Sequence, residues 1–302
     1  MFNKQLTKSQ QDTRFAILCI LPVFLGLTFV VFAPIMRAIF VSFQKYKITD
    51  VNPPAWNNFE NYRRLFDTGL FWTYLGNTLL YIVAVVSIQV VIALAIALLL
   101  NTNIKGRKFF RGLFMIPWTI PSVVTALLWS WLLQPQYGVL NYLFYTLGLQ
   151  SELNRLWVQD PQLSMVSIVI TSVWRQTPYM MIMLLAGLQS VSKELIEAAE
   201  IDGAGKVKVF QHVVIPSIRP VLDTAIVVAI VNNSQMFTII YNMTAGGPMN
   251  RTTTISIAAY KHAFISFDFG TGSALGVIWL VILSTSVYFY RRYSDKKLSA
   301  YL

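Results

Sequence analysis

The chain has 302 residues, of which 55% are hydrophobic and 12% charged, a balance that points to a protein crossing a membrane repeatedly and away from a soluble enzyme. Its net charge of +11 comes from basic residues held in short stretches between apolar runs, which argues for control of membrane orientation and against a nucleic-acid partner. One cysteine, Cys19, and two widely separated histidines, His212 and His262, offer neither a disulfide framework nor a metal site.

A bilayer core takes about 20 apolar helical residues to cross. In chain order, such runs cover residues 16–39, 75–100, 113–133, 163–188, 221–241 and 272–290. The first is too long for a signal-peptide core and lacks a small-residue cleavage site, so a retained span is expected. The third is interrupted by Pro117 and Pro121, which membrane helices tolerate when neighbours satisfy the freed carbonyls. The fold class expected is therefore all-α, a polytopic membrane protein with six transmembrane helices.

The connecting segments set the orientation. Lys4, Lys8, Arg14, Lys105, Arg107, Lys108, Arg111, Lys193, Lys206, Lys208, Arg219, Arg291, Arg292, Lys296 and Lys297 fall on one side. Lys45, Lys47, Arg63, Arg64, Arg155, Arg251 and Lys261 fall on the other. The positive-inside rule then puts both termini in the cytoplasm, together with the insert between the fourth and fifth spans. The external segments, such as Asn52-Pro-Pro-Ala-Trp56, Gln134-Pro-Gln-Tyr-Gly138 and Gly246-Gly-Pro248, read as interfacial helices and turns. The division expected is residues 1–71 for the N-terminal tail, first span and first external segment, 72–290 for the remaining spans with a loop at 189–220, and 291–302 for a cytoplasmic tail.

The insert carries the most specific pattern. Ser192 can cap a helix with Glu194 and Glu197 near its positive end. Leu195, Ala198 and Ala199 share a narrow face, and Gly203 and Gly205 break the helix. A second helix over 206–214 would align Val207, Phe210 and Val214 and end at Pro216. Taken alone, this fits either an amphipathic loop on the membrane surface or a docking element for a partner.

Glu197-Ala-Ala199, Gly203 and Val213-x-Ile215-Pro216 resemble the EAA motif of permease subunits of binding-protein-dependent ABC importers, with Val-x-Ile-Pro where Ile-x-Leu-Pro is usual. Further pieces, Asn58–Tyr62, Phe110–Pro117, Trp174-Arg-Gln-Thr-Pro178, Gly246-Gly-Pro248 and Phe267-Asp-Phe-Gly270, are similar to the carbohydrate branch of that family, of the maltose and glycerol-3-phosphate type, in its plain six-span form. The resemblance implies a second permease, a cytoplasmic ATPase dimer, an extracytoplasmic solute-binding protein, a sugar substrate and residence in a prokaryotic inner membrane. It also implies that Glu197, Ala198, Ala199, Asp202, Gly203 and Pro216 form the coupling element to the ATPase. No cofactor is expected on this chain: ATP and Mg belong to the ATPase, and Gly205-Lys206 has Val207 where a P-loop needs Ser or Thr.

Aligned on Glu197, the resemblance brings Ser172, Gln176, Tyr179, Asn232 and Asn233 near positions that line a mid-membrane transport site. Ser172, Gln176 and Tyr179 also share one helical face, and neutral hydroxyls and amides suit an uncharged polyhydroxylated ligand. Arg175 is expected off that face in a structural role, with Asn77 and Gln89 as interhelical contacts. Two other classes stay open: a membrane-embedded enzyme, for which the spans lack histidine and paired carboxylates, and a self-contained ion-coupled carrier, for which no internal repeat is visible.

Overall fold

The computed structural model describes residues 8–102 and 105–298, the side chains of 10–12 and 293–298 excepted. Lys4 and the side chains of Lys296 and Lys297, which enter the charge bias, lie outside the described residues. Apart from a two-residue antiparallel ladder between Gln44–Lys45 (β1) and Ala55–Trp56 (β2), the regular structure is helical.

Among the described residues, four helices are long and apolar enough to cross a bilayer alone, and up to six when each of two bent pairs counts as one span. The first span joins α1 (Lys8–Leu27) to α2 (Ala33–Ser42) through a π turn, and its most apolar stretch is buried nowhere by the rest of the chain. After the short α3 (Glu60–Asp67) comes α4 (Leu70–Asn101), which buries Tyr74, Thr78, Tyr81, Val85, Gln89, Ala93 and Ala97 along one face. That stripe repeats every three or four residues, as a helix with one packed side requires.

The packed side of α4 meets α8 (Ser164–Gln189), the centre of the molecule, where most side chains are buried. At a rise of ~1.5 Å per residue its 26 residues span roughly 39 Å, enough for a bilayer core. A third helix, α11 (Ile215–Ser234), closes on both. Gly187 permits the α8–α11 approach, since a Cβ there would lie 3.1 Å from the Val221 side chain. The last helix, α14 (Phe269–Leu298), packs against α2 and continues past the expected span end at residue 290.

Three expectations change. The third span is two helices, α5 (Arg107–Thr119) and α6 (Ser122–Leu132), bent by 94°. Pro121 is the cause, because the residue before a proline is driven out of the α region, and Ile120 sits at ψ 131°. Pro117, by contrast, stays inside α5. The fifth span does not reach residue 241: the helix breaks after Ser234, and α12 (Thr238–Thr244) packs separately against α6. Its missing length is recovered at the other end. The segment from Lys206 to Ser234 is one 29-residue run in which α10 (Lys206–Val209) passes through a π turn at Phe210–Val214 into α11. Pro216 therefore does not end a helix. The Ile215 amide reaches back to the Phe210 carbonyl, and the widened turn accommodates the proline.

Two quoted motifs meet in space. Asn61 donates to the carbonyls of Ser42 and Gln44 at 2.8 and 2.9 Å, and Tyr62 Oη lies 2.7 Å from Ser42 Oγ. Gly270 is pressed against the same turn, where a Cβ would come within 2.3 Å of the Gln44 carbonyl. Asp268 caps α14, accepting from Thr271 N and Oγ1 at 3.0 and 2.8 Å. These residues clamp the first span to the last. The loop around Gly246-Gly-Pro248 is likewise tied to α4, as Asn77 Nδ2 donates to the carbonyls of Asn250 and Thr253 and Thr78 Oγ1 accepts from Ile255 N, the first residue of α13 (Ile255–Tyr260).

Candidate functional site

The sequence candidates fall into two places. One is the insert, where α9 (Lys193–Ile201) leaves α8 at 67°. Ser192 occupies the N-cap position, but its Oγ points to the Glu194 carboxylate at 3.4 Å and caps no backbone amide. The C-terminus closes on glycine as read: Gly203 has φ +83°, its amide donates to Glu200 O, and the Ala204 amide donates to Ala199 O at 2.9 Å. A Cβ on Gly203 would meet nothing within 4 Å, so left-handed backbone, not space, requires the glycine.

No side chain of α9 is buried. Glu197, Ala198 and Asp202 are exposed and Ala199 is half-buried. Leu195 and Ile201 are 55% and 86% exposed. The second helix differs from its expected face: Val207 points outward, Val209 is buried, and Val214 packs on the main core. Pro216 is exposed beside this surface.

The other place is a cleft of about 220 Å³ where α4, α8 and α11 meet the α5/α6 bend. Gln176, Tyr179 and Asn232 line it, as do Gln89, Trp118 and Arg175. Trp118 and Tyr179 stack with centroids 5.6 Å apart. Arg175 shares this wall, against expectation, because residues four apart on a helix differ by only about 40° in direction and Tyr179 lies beside it. Its Nε donates to the Ile120 carbonyl at 3.3 Å, tying α8 to the bend, and among the described residues it forms no ion pair with a carboxylate.

Ser172 and Asn233 lie behind the wall in a closed network. Tyr81 Oη is 2.9 Å from Ser172 Oγ and 3.3 Å from Asn233 Oδ1, which also accepts from Gln176 Nε2 at 2.8 Å. Asn233 Nδ2 donates to Ala229 O at 2.9 Å. Tyr81, Ser172 and Asn233 are all buried, so this network locks α4, α8 and α11 together from within. Sequence reading missed Tyr81 and Trp118. Tyr81 and Gln89 are eight residues apart on the buried stripe of α4, a spacing that could have signalled them.

A larger cleft of about 540 Å³ lies between α4, α5, α6 and α8, walled almost wholly by apolar groups such as Ile88, Ile92, Phe114, Val169 and Val173. It has little with which to hold a polar solute.

Helices that enclose a small polar cleft, broken beside it at a proline, with an exposed two-helix elbow projecting from the central pair, fit a membrane-embedded transport subunit. The chain belongs to the family of inner-membrane components of binding-protein-dependent transport systems, whose model matches residues 89–300. It is 32% identical over 273 residues to the trehalose/maltose transport system permease protein MalF of Thermococcus litoralis, covering 90% of this chain and 91% of that one. It is also 32% identical over 279 residues to the sulfoquinovosyl glycerol transport system permease protein SmoG of Agrobacterium fabrum, covering 92% and 90%. In fold it resembles a chain of a bacterial ABC transporter involved in import of the acidic polysaccharide alginate, with TM-score 0.81, 21% identity and coverage of 96% and 98%.

Proposed function

We propose that this chain is the permease subunit of an ATP-driven importer for a sugar, a di- or oligosaccharide, and that with a second permease it forms the membrane pathway. The observation that carries the reading is the insert: a helix with exposed apolar and acidic side chains and none buried, turned from α8 by 67° and closed by Gly203, on a chain of this family. Such a surface suits contact with a protein partner. A cytoplasmic ATPase dimer is the partner proposed, with Glu197, Ala198, Ala199, Asp202, Gly203 and Pro216 at the contact. ATP and Mg would bind there and not here, so this chain performs no hydrolysis.

The relatives' sugar and glycoside transport supports the substrate class, and the cleft's hydroxyl and amide lining is in keeping with it. A solute-binding protein delivers the sugar from outside. A likeness in fold to the alginate transporter solved with its pentasaccharide-bound periplasmic protein is consistent with that partner. The site of action is the inner membrane of a prokaryote, both termini in the cytoplasm.

The test is purification of the chain from its native membrane followed by reconstitution. Co-purification of an ATPase and a second permease, with ATP-dependent uptake of a labelled sugar, is the expected result. Uptake by this chain alone in liposomes, driven by an ion gradient, would overturn the reading.

A further inference from the structure

One buried group in the cleft wall is left unsatisfied. Gln89 is 2% exposed, and its Nε2 donates to the main-chain carbonyl of Gln176 at 3.1 Å. That carbonyl can only accept, so the amide is held with its nitrogen toward α8 and cannot turn over. Its Oε1 is thereby fixed as an acceptor, and it has no hydrogen-bond partner among the described residues. A buried acceptor without a donor is costly inside a membrane protein, where water offers no general relief. Gln89 lies in the wall of the cleft, beside Gln176, Tyr179 and Asn232.

We propose that Gln89 is a specificity-determining residue of the transport pathway, its Oε1, covered in this conformation, being uncovered as the sugar passes to accept a hydrogen bond from one hydroxyl of a pyranose ring. The proposal rests on the sugar-importer reading and deepens it. A hydroxyl is the fitting donor because it also accepts, so the same ring can take hydrogen bonds from the Arg175 guanidinium and the Asn232 amide in this wall. The stacked Trp118–Tyr179 pair supplies a flat apolar edge for a ring's C–H face. At about 220 Å³ the cleft falls below the ~300–1,000 Å³ of sites that enclose drug-sized ligands, so it takes one ring at a time. An oligosaccharide would be read residue by residue.

The experiment uses the whole importer, with its binding protein, in proteoliposomes. The probes are labelled maltose, trehalose and melibiose, each with its monodeoxy analogues. The variants are Gln89→Met, which keeps the length and removes the amide, and Gln89→Glu, which keeps the acceptor. Wild type should favour a parent sugar over one of its deoxy analogues by about 5- to 10-fold in kcat/KM, the worth of one hydrogen bond. Gln89→Met should erase that preference while Gln89→Glu retains part of it. An equal loss for parent and analogues would mark Gln89 as a packing residue and overturn the proposal, as would unchanged discrimination in Gln89→Met. Uptake by wild type that proceeds without ATP would overturn the importer reading itself, and this inference with it.

Discussion

The elbow between α8 and α11 and the network at Tyr81 are built on opposite principles. In the elbow, shape comes from local backbone chemistry: a left-handed glycine and two nested amide-to-carbonyl bonds close a helix with no buried side chain. In the network, shape comes from distant residues, since Tyr81, Ser172 and Asn233 meet across 91 and 152 positions of sequence. A surface held by its own backbone can be offered to a partner without weakening the fold. A buried network cannot be changed at any member without leaving another member unpaired. Substitutions in the two regions should therefore separate coupling from stability.

The largest effects are expected in the elbow. Glu197→Lys puts a cation where the proposed docking surface is acidic, and like-charge contacts at interfaces cost several kcal/mol. Gly203→Asp imposes a left-handed strain of ~1–2 kcal/mol, a roughly 5–30-fold shift away from the native elbow. Both should collapse substrate-stimulated ATP hydrolysis in the reconstituted complex, and Glu197→Lys should leave the thermal midpoint of the isolated chain unchanged because the side chain is exposed. Hydrolysis at the wild-type rate in both would remove the elbow from the coupling path.

Asn233→Ala comes next. It strips the acceptor from Gln176 Nε2 and from Tyr81 Oη inside the core, and unsatisfied buried groups cost ~1–3 kcal/mol. A lowered melting temperature in detergent should accompany any loss of uptake. Normal stability with impaired uptake would show that Asn233 acts on the substrate and not on the packing. Tyr81→Phe should be milder, about 0.6 kcal/mol, the average found for hydrogen bonds between membrane helices. If it proves as damaging as Asn233→Ala, the network is more cooperative than its pairwise bonds suggest, and a double variant would measure the excess.

The smallest effect concerns His262, in the turn after α13. Burial holds its pKa below the ordinary value, and Asp268 only partly offsets this. Neutral imidazole is the form the fold prefers, so stability is full above the unfolded value of ~6.5 and falls as pH drops through the lower folded value. The slope cannot exceed ~1.4 kcal/mol per pH unit for one proton. Melting curves from pH 7.5 to 5 should show a decline that His262→Gln flattens.

Much of this was legible in the residues themselves. Apolar run length gave the first, second, fourth and sixth spans, since a helix must hide its backbone from lipid over a fixed thickness. The elbow was readable because glycine spacing and acidic first-turn residues act within a few positions of themselves. The break at Pro121 was half visible: the proline marked the place, but not that α5 and α6 would turn by 94°. The fifth span was displaced because hydropathy does not register a π turn that carries a helix through Pro216, nor the fold-back of α12 onto α6.

What the sequence by itself determined was therefore whatever depends on period and local stereochemistry: the helical class, the family pattern at Glu197–Pro216, and the glycine that closes the elbow. Only the tertiary structure decided which polar residues meet. It put Ser172 and Asn233 behind the cleft wall, turned Arg175 toward the α5/α6 bend, and left Gln89 with a fixed acceptor and no donor. The physical reason is that a hydrogen bond in a membrane interior is set by which helix faces pack together, and packing of α4, α8 and α11 brings together residues that no local pattern relates.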